Sequence, residues 1–203
     1  MIFSGLDLAG YKRKEKTVLS FINGGKVKIL KGLDDKEIVE NVILERPTVF
    51  AIDAPLSFPK KGIFRYSDKK LKKILDKKNI RYLKKSVLPP VLPQMKIITK
   101  RAIKIKNSLK GIRIIETHPT ICIFLILFEK GIDIRKFISY KKNKEVFENL
   151  VKILQKILGY RLKFSSPDEL DSFICAYMAK LFYKTDKTLY LSKTKSPFII
   201  YNF

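Results

Sequence analysis

Three apolar segments of this chain each run into a carboxylate. Phe3-Ser4-Gly5-Leu6 leads to Asp7, Val49-Phe50-Ala51-Ile52 to Asp53, and Ile112-Arg113-Ile114-Ile115 to Glu116. Short segments rich in aliphatic residues and bounded by turn formers are read as strands, and near-continuous apolar character marks strands covered on both faces. Aspartate is disfavoured inside a strand, so each acid marks where the strand leaves the core. Neighbouring strands lie about 4.8 Å apart; if these three are parallel neighbours, their terminal carboxylates converge at one end of a sheet.

The rest of the pattern frames that sheet. Residues 3–8, 17–22 and 26–31 are predicted as strands, the last two joined by a turn at Asn23-Gly24-Gly25. A helix is predicted over 34–45, where Ile38, Val39, Val42 and Ile43 recur at helical spacing behind a cap-like Asp34, and Pro47 stops it. Residues 48–52 give the fourth strand and 112–116 the fifth. Helical patterns follow at Pro119, over 144–158 and from Pro167 onward. This order, three strands, helix, strand, inserted segment, strand and helices, is that of the ribonuclease H-like fold: an α/β, mixed five-stranded sheet in the order 3-2-1-4-5, flanked by helices. Right-handed crossovers make the first, fourth and fifth strands parallel. Ligands of open α/β sheets bind beyond the carboxyl ends of the strands at a topological switch point, here between strands one and four, where Asp7 and Asp53 stand. At 203 residues the chain suits a single domain over 1–203, with 60–111 as a helical insertion.

Carboxylates gathered in one place repel one another and are costly to desolvate unless a cation compensates them. With one histidine, His118, and two dispersed cysteines, Cys122 and Cys175, the chain lacks the clustered nitrogen and sulfur ligands of structural zinc. The metal expected is therefore Mg²⁺ or Mn²⁺, held by oxygen. Two such ions about 3.5–4 Å apart activate a water and stabilise the leaving oxygen of a phosphodiester. The last helix adds Asp168 and Asp171, neighbours three residues apart. Asp168 has a second reading, because Ser166, Pro167 and Glu169 form a helix start in which acids are favoured. Asp171 shares a face with Ile174, Cys175 and Met178, which turns it partly inward. Asp7 and Asp53 could each be a turn residue, Glu116 the partner of a basic neighbour, and His118 structural.

Positive charge is concentrated in the inserted segment. The chain carries 43 Lys and Arg against 19 Asp and Glu, and residues 60–113 alone hold nineteen of the bases and only Asp68 and Asp76 of the acids. Two helices are expected there, over 67–85 and 96–109, separated by Leu88-Pro89-Pro90-Val91-Leu92-Pro93. Lys69, Lys70, Lys73 and Lys77 surround Leu71, Ile74 and Leu75, and Lys100, Arg101 and Lys104 flank the second helix, giving apolar undersides and cationic exteriors. Surfaces of this kind bind nucleic acid by neutralising phosphates, and Arg65, Arg81 and Arg101 suit bidentate phosphate contacts. A thermophilic composition bias would add Glu along with Lys, which this segment does not do. The cysteines sit in apolar runs, as buried thiols of a cytoplasmic protein do. No segment approaches the roughly 20 apolar residues of a membrane span, and Met1-Ile2-Phe3 lacks the basic start of a signal peptide.

Four blocks carry a family resemblance: Gly5-Leu6-Asp7-Leu8-Ala9-Gly10; Ala51-Ile52-Asp53-Ala54-Pro55-Leu56-Ser57; Glu116-Thr117-His118-Pro119; and Asp168-Glu169-Leu170-Asp171-Ser172 with Cys175-Ala176-Tyr177. In this order they resemble the prokaryotic family named domain of unknown function 429, described as predicted nucleases of the ribonuclease H fold. The resemblance implies that Asp7, Asp53, Glu116, Asp168 and Asp171 line one site. The chain departs from that family in its lysine content and at Ser172, where alanine is usual. The function expected is metal-dependent hydrolysis of DNA or RNA, with Asp7, Asp53, Glu116 and Asp171 catalytic. A non-catalytic nucleic-acid binder and an ATP-dependent phosphotransferase are the alternatives. Nucleotide-binding P-loop, Rossmann, zinc-protease and serine-hydrolase motifs are absent.

Overall fold

The structure is a computed structural model describing residues 1–161, 163–192 and 194–202. Its sheet has the strands β1 (Ile2–Asp7), β2 (Val18–Asn23), β3 (Lys26–Lys31), β4 (Val49–Asp53) and β5 (Ile114–Glu116), in the order β3-β2-β1-β4-β5. β1 pairs antiparallel with β2 and β2 with β3, whereas β1–β4 and β4–β5 are parallel. Order and direction are those expected from the sequence, with strand ends moved by one or two residues. The helices are α1 (Asp35–Glu45), α2 (Tyr66–Lys77), α3 (Pro93–Ser108), α4 (Pro119–Glu129), α5 (Lys144–Leu158) and α6 (Pro167–Lys184).

Two apolar layers form because successive strand residues face opposite sides. Leu6, Leu19, Phe50, Ile52 and Ile114 bury against Ile38 and Val42 of α1 and Ala102 and Ile105 of α3. Phe3, Ile22, Val49, Ala51 and Ile115 bury against α2, α4, α5 and α6. The inserted segment therefore contributes to both layers, α2 through Leu71 and Leu75 and α3 through Ala102, Ile105 and Leu109. Its first helix is shorter than the expected 67–85: α2 stops at Lys77, Asn79 turns left-handed at φ 57°, and a 3₁₀ turn covers Arg81–Ser86. Asparagine accepts that conformation at low cost, which breaks a helix that the lysine-rich pattern alone would continue.

Three further elements lay outside the sequence reading: a 3₁₀ segment at Tyr11–Lys16 and the small antiparallel pair β6 (Thr188–Tyr190) and β7 (Ile199–Tyr201). The C-terminal segment runs along the edge of β5, where Glu116 N–H donates to Pro197 O at 2.9 Å. Among the described residues no helix is long and apolar enough to cross a membrane.

Two contacts fix how the helices dock. Gly5 of β1 lies directly under α6, so that a Cβ at this position would meet Cys175 Cβ at 2.6 Å and press into the backbone of Ser172 and Ala176. On the other layer Arg101 of α3 is 1% exposed. Its guanidinium donates to the Asp35 carboxylate, to Ala9 O at 2.6 Å, to Thr17 Oγ1 at 3.1 Å and to Leu33 O at 3.3 Å. Arg101 is thus an internal clasp and leaves the expected phosphate-binding set. Gly5→Ala should cost about 1–3 kcal/mol or more, since backbone rather than a flexible side chain must yield. Arg101→Met should cost about 3–5 kcal/mol by stranding Asp35 and its neighbouring oxygens. Urea unfolding midpoints of the two variants measure both effects.

Candidate functional site

Strand alternation decides which acids meet. Phe3, Val49 and Ala51 face the α6 side, and Asp7 and Asp53 continue that same parity at the ends of β1 and β4. The two are direct partners in the parallel register. From α6, pressed onto Gly5, the buried Asp171 reaches the same place. Glu116 is one residue out of step: it pairs with Ile52 rather than Asp53, and its neighbour Ile115 is the β5 residue that faces α6.

Glu116 is occupied elsewhere. Arg65 donates to its two oxygens at 2.7 and 2.6 Å, and Leu56 N–H donates to it at 2.8 Å. The same guanidinium grips Asp68 at 2.7 and 3.0 Å. Arg65 is only 8% exposed, so it too leaves the set of free phosphate-binding bases and becomes the closed half of an Asp68–Arg65–Glu116 triad. One of two acids in a stretch of nineteen bases, three residues from an arginine, was the sequence signal for this triad. Burial raises the Glu116 pKa, and Arg65 offsets much of that rise.

Asp171 accepts from the Tyr140 hydroxyl at 2.8 Å and forms an ion pair with Lys141 Nζ at 2.5 Å. Neither Tyr140 nor Lys141 was singled out from sequence, because they fall in a Tyr-Lys-Lys-Asn connector with no periodicity. Lys141 is the central cation of the site. Desolvation disfavours its charge, but Asp171, Tyr140, Asp53 and Asp7 outweigh that and hold its pKa above the ordinary lysine value. Asp168 stands in the first turn of α6, partly buried; burial raises its pKa while Lys16 lowers it, and its charge also reaches Asp7. Glu169 turns its side chain to Ser165 and Lys31, while Ser166 caps the helix by accepting from Glu169 N–H.

Asp7 and Asp53 accept no hydrogen bond from the described residues and line a cleft of about 380 Å³ together with Arg65, Glu116, His118 and Lys141. Burial, then the charges of Asp171 and Asp53, raise the Asp7 pKa well above the ordinary range. Burial also lifts Asp53, which Lys141 lowers and Asp171 and Glu116 raise, to about 7. His118 donates from Nε2 to Ser86 O at 3.1 Å, leaving Nδ1 buried and unpartnered. Burial pushes its pKa down to about 4, so the ring is neutral at pH 7.

Two free carboxylates side by side, short of positive charge, fit one hard divalent ion that retains waters. A cluster of three or more ligating side chains does not form among the described residues, and Asp171 and Glu116 are engaged by Lys141 and Arg65. Of the bases expected to meet phosphate, Lys69, Lys73, Lys77, Arg81, Lys100 and Lys104 are exposed, and the partly buried Lys70 donates to Tyr190 O at 2.8 Å.

The elevated Asp53 pKa has a signed consequence. Between the ordinary carboxylate value and about 7 the folded protein retains a proton that the unfolded chain releases. The stability from this group is complete at low pH and lost as pH rises through about 7. In EDTA, Asp53→Asn should therefore match the wild-type Tm near pH 4 and exceed it at pH 8, as read by calorimetry across that range.

No curated protein and no solved structure matches this chain. One family profile, described as "Protein of unknown function (DUF429)", matches residues 5–194, which include Asp7, Asp53, Glu116 and Asp171. Spanning nearly the whole chain, that match makes this protein a member of the DUF429 family.

Proposed function

We propose that this protein is a divalent-metal-dependent phosphodiesterase acting on nucleic acid, built on a ribonuclease H-like fold. The observation that carries the proposal is the Asp7–Asp53 pair: two carboxylates that accept no hydrogen bond from the described residues, in register at the carboxyl ends of adjacent parallel strands, facing a cleft and raised in pKa chiefly by burial and by the nearby Asp171 charge. Mg²⁺ is commonly held by one or two carboxylates together with waters and substrate phosphate, which is the donor set these residues offer. Bound there, the ion supplies Lewis-acid polarisation of a phosphoryl oxygen and a more acidic water.

The chain's own groups have separate roles. Asp7 and Asp53 hold the ion. Asp171, fixed by Tyr140, orients the Lys141 ammonium at the cleft, where it meets a phosphate oxygen. Neutral His118, tied through Nε2 to Ser86 O, forms part of the cleft wall. The Asp68–Arg65–Glu116 triad closes another wall and keeps it rigid. Exposed lysines of α2 and α3 supply the long-range attraction for a polyanion.

Lys141 also favours a second reading. An ammonium already offsets part of the carboxylates' charge without any metal, as a nucleic-acid binder lacking catalysis would require. Incubation with labelled single-stranded, duplex, hybrid and branched substrates in Mg²⁺ or Mn²⁺ separates the two. Cleavage should appear with metal, vanish in EDTA and vanish in Asp7→Asn, whose folding is retained. Undiminished cleavage by Asp7→Asn overturns the mechanism, and salt-sensitive binding without product in any metal favours the second reading.

A further inference from the structure

A second concavity, of about 800 Å³, lies beside the N-terminus of α2. Its walls carry Lys60, Lys61, Lys69 and Lys70 and the rings of Phe58, Tyr66 and Tyr190, with no acidic residue among those lining it. Arg65 belongs to this groove and to the carboxylate cleft alike, so the two share a wall.

The aromatic residues here are not core residues that spill outward. Tyr66 is 79% exposed, although it stands at the first position of a helix whose apolar side is buried. Tyr190 is 39% exposed yet held in place: its ring packs 5.7 Å from Phe182, and its carbonyl accepts from Lys70 at 2.8 Å. A lysine surface alone attracts any polyanion through its phosphates. Exposed rings interleaved with lysines add a feature that only unpaired bases can use, because bases within a duplex are stacked on one another and closed to side chains.

We propose that this groove binds single-stranded nucleic acid, with Tyr66 and Tyr190 stacking unpaired bases and Lys60, Lys61 and Lys69 neutralising the backbone, and that the strand passes the Arg65 wall into the cleft. The proposal rests on the nucleic-acid reading of that cleft and narrows its substrate to unpaired strands. Base stacking is worth roughly 1–3 kcal/mol per base, or about five- to a hundredfold in affinity, and each phosphate neutralised adds about 0.7 to the salt slope of a single strand.

The test is fluorescence anisotropy in EDTA, with a labelled single-stranded oligonucleotide and the blunt duplex of the same sequence at several salt concentrations. Wild-type protein should bind the single strand more tightly. Tyr66→Ala should weaken that binding about five- to a hundredfold and leave duplex binding unchanged, and Tyr66→Phe should restore it. Replacing Lys60 and Lys61 by Gln should lower the salt slope. Tyr66 is exposed enough that its truncation leaves folding intact. Equal losses on single strand and duplex, no loss at all, or tighter wild-type binding of duplex overturns the proposal. So does a polyglutamate peptide that binds with the same Tyr66 dependence and displaces the oligonucleotide. Tyr66-dependent binding without cleavage in any metal upholds the groove while removing the hydrolase, and cleavage of single strands indifferent to Tyr66 does the reverse.

Discussion

Hydrogen-bonded pairing of β1 with β4 forces two carboxylates into adjacent positions, and much of the surrounding structure answers that repulsion. Asp7 and Asp53 cannot separate without breaking the parallel register that makes the sheet. Among the described residues neither accepts a hydrogen bond, and Lys141 brings an ammonium to the cluster. Lys141 is in turn tethered by Asp171, whose remaining oxygen is taken by Tyr140. The charge balance is therefore struck by an element that sheet topology does not dictate, the connector before α5, and it remains incomplete on the side that opens to the cleft.

The same economy explains why neighbouring acids behave differently. Glu116 ends its strand as Asp7 and Asp53 do, but the one-residue offset of β5 turns it toward Arg65. Burial raises the pKa of all three, but at Glu116 the Arg65 guanidinium and Leu56 N–H counter that rise, and the closed pair becomes architecture. Asp171 occupies the middle ground, fully buried, with one oxygen accepting from Tyr140 and the other in an ion pair with Lys141. What counts chemically is which acids lack partners, and proximity alone does not reveal that.

Much of this was readable from the chain. Strand order followed from the spacing of apolar segments, and the convergence of Asp7, Asp53 and Asp171 from acids at the ends of those segments and on an inward helix face. Of the two readings of Glu116, the sequence could not choose the partner of a basic neighbour, because strand register depends on hydrogen bonding across the sheet and is invisible in one strand's sequence. Arg65 and Arg101 were read as surface charge because burial of an arginine is decided by distant partners: Glu116 for one, Asp35 with three further oxygens for the other. Lys141 left no trace, lying in a connector whose lysines look alike until the fold selects one. The break at Asn79 was local and legible in kind, but a lysine-rich helical pattern on both sides concealed it.

The absent side chain of Gly5 has one more effect. Where two backbones touch with nothing between them, no rotamer can absorb a displacement, so Asp7 on one and Asp171 on the other keep a common footing. The floor of the cleft thus rests on backbone packed against backbone, while its rim is made of Ser86, Leu88 and Met95, on a 3₁₀ turn, a proline-rich connector and the first turn of α3.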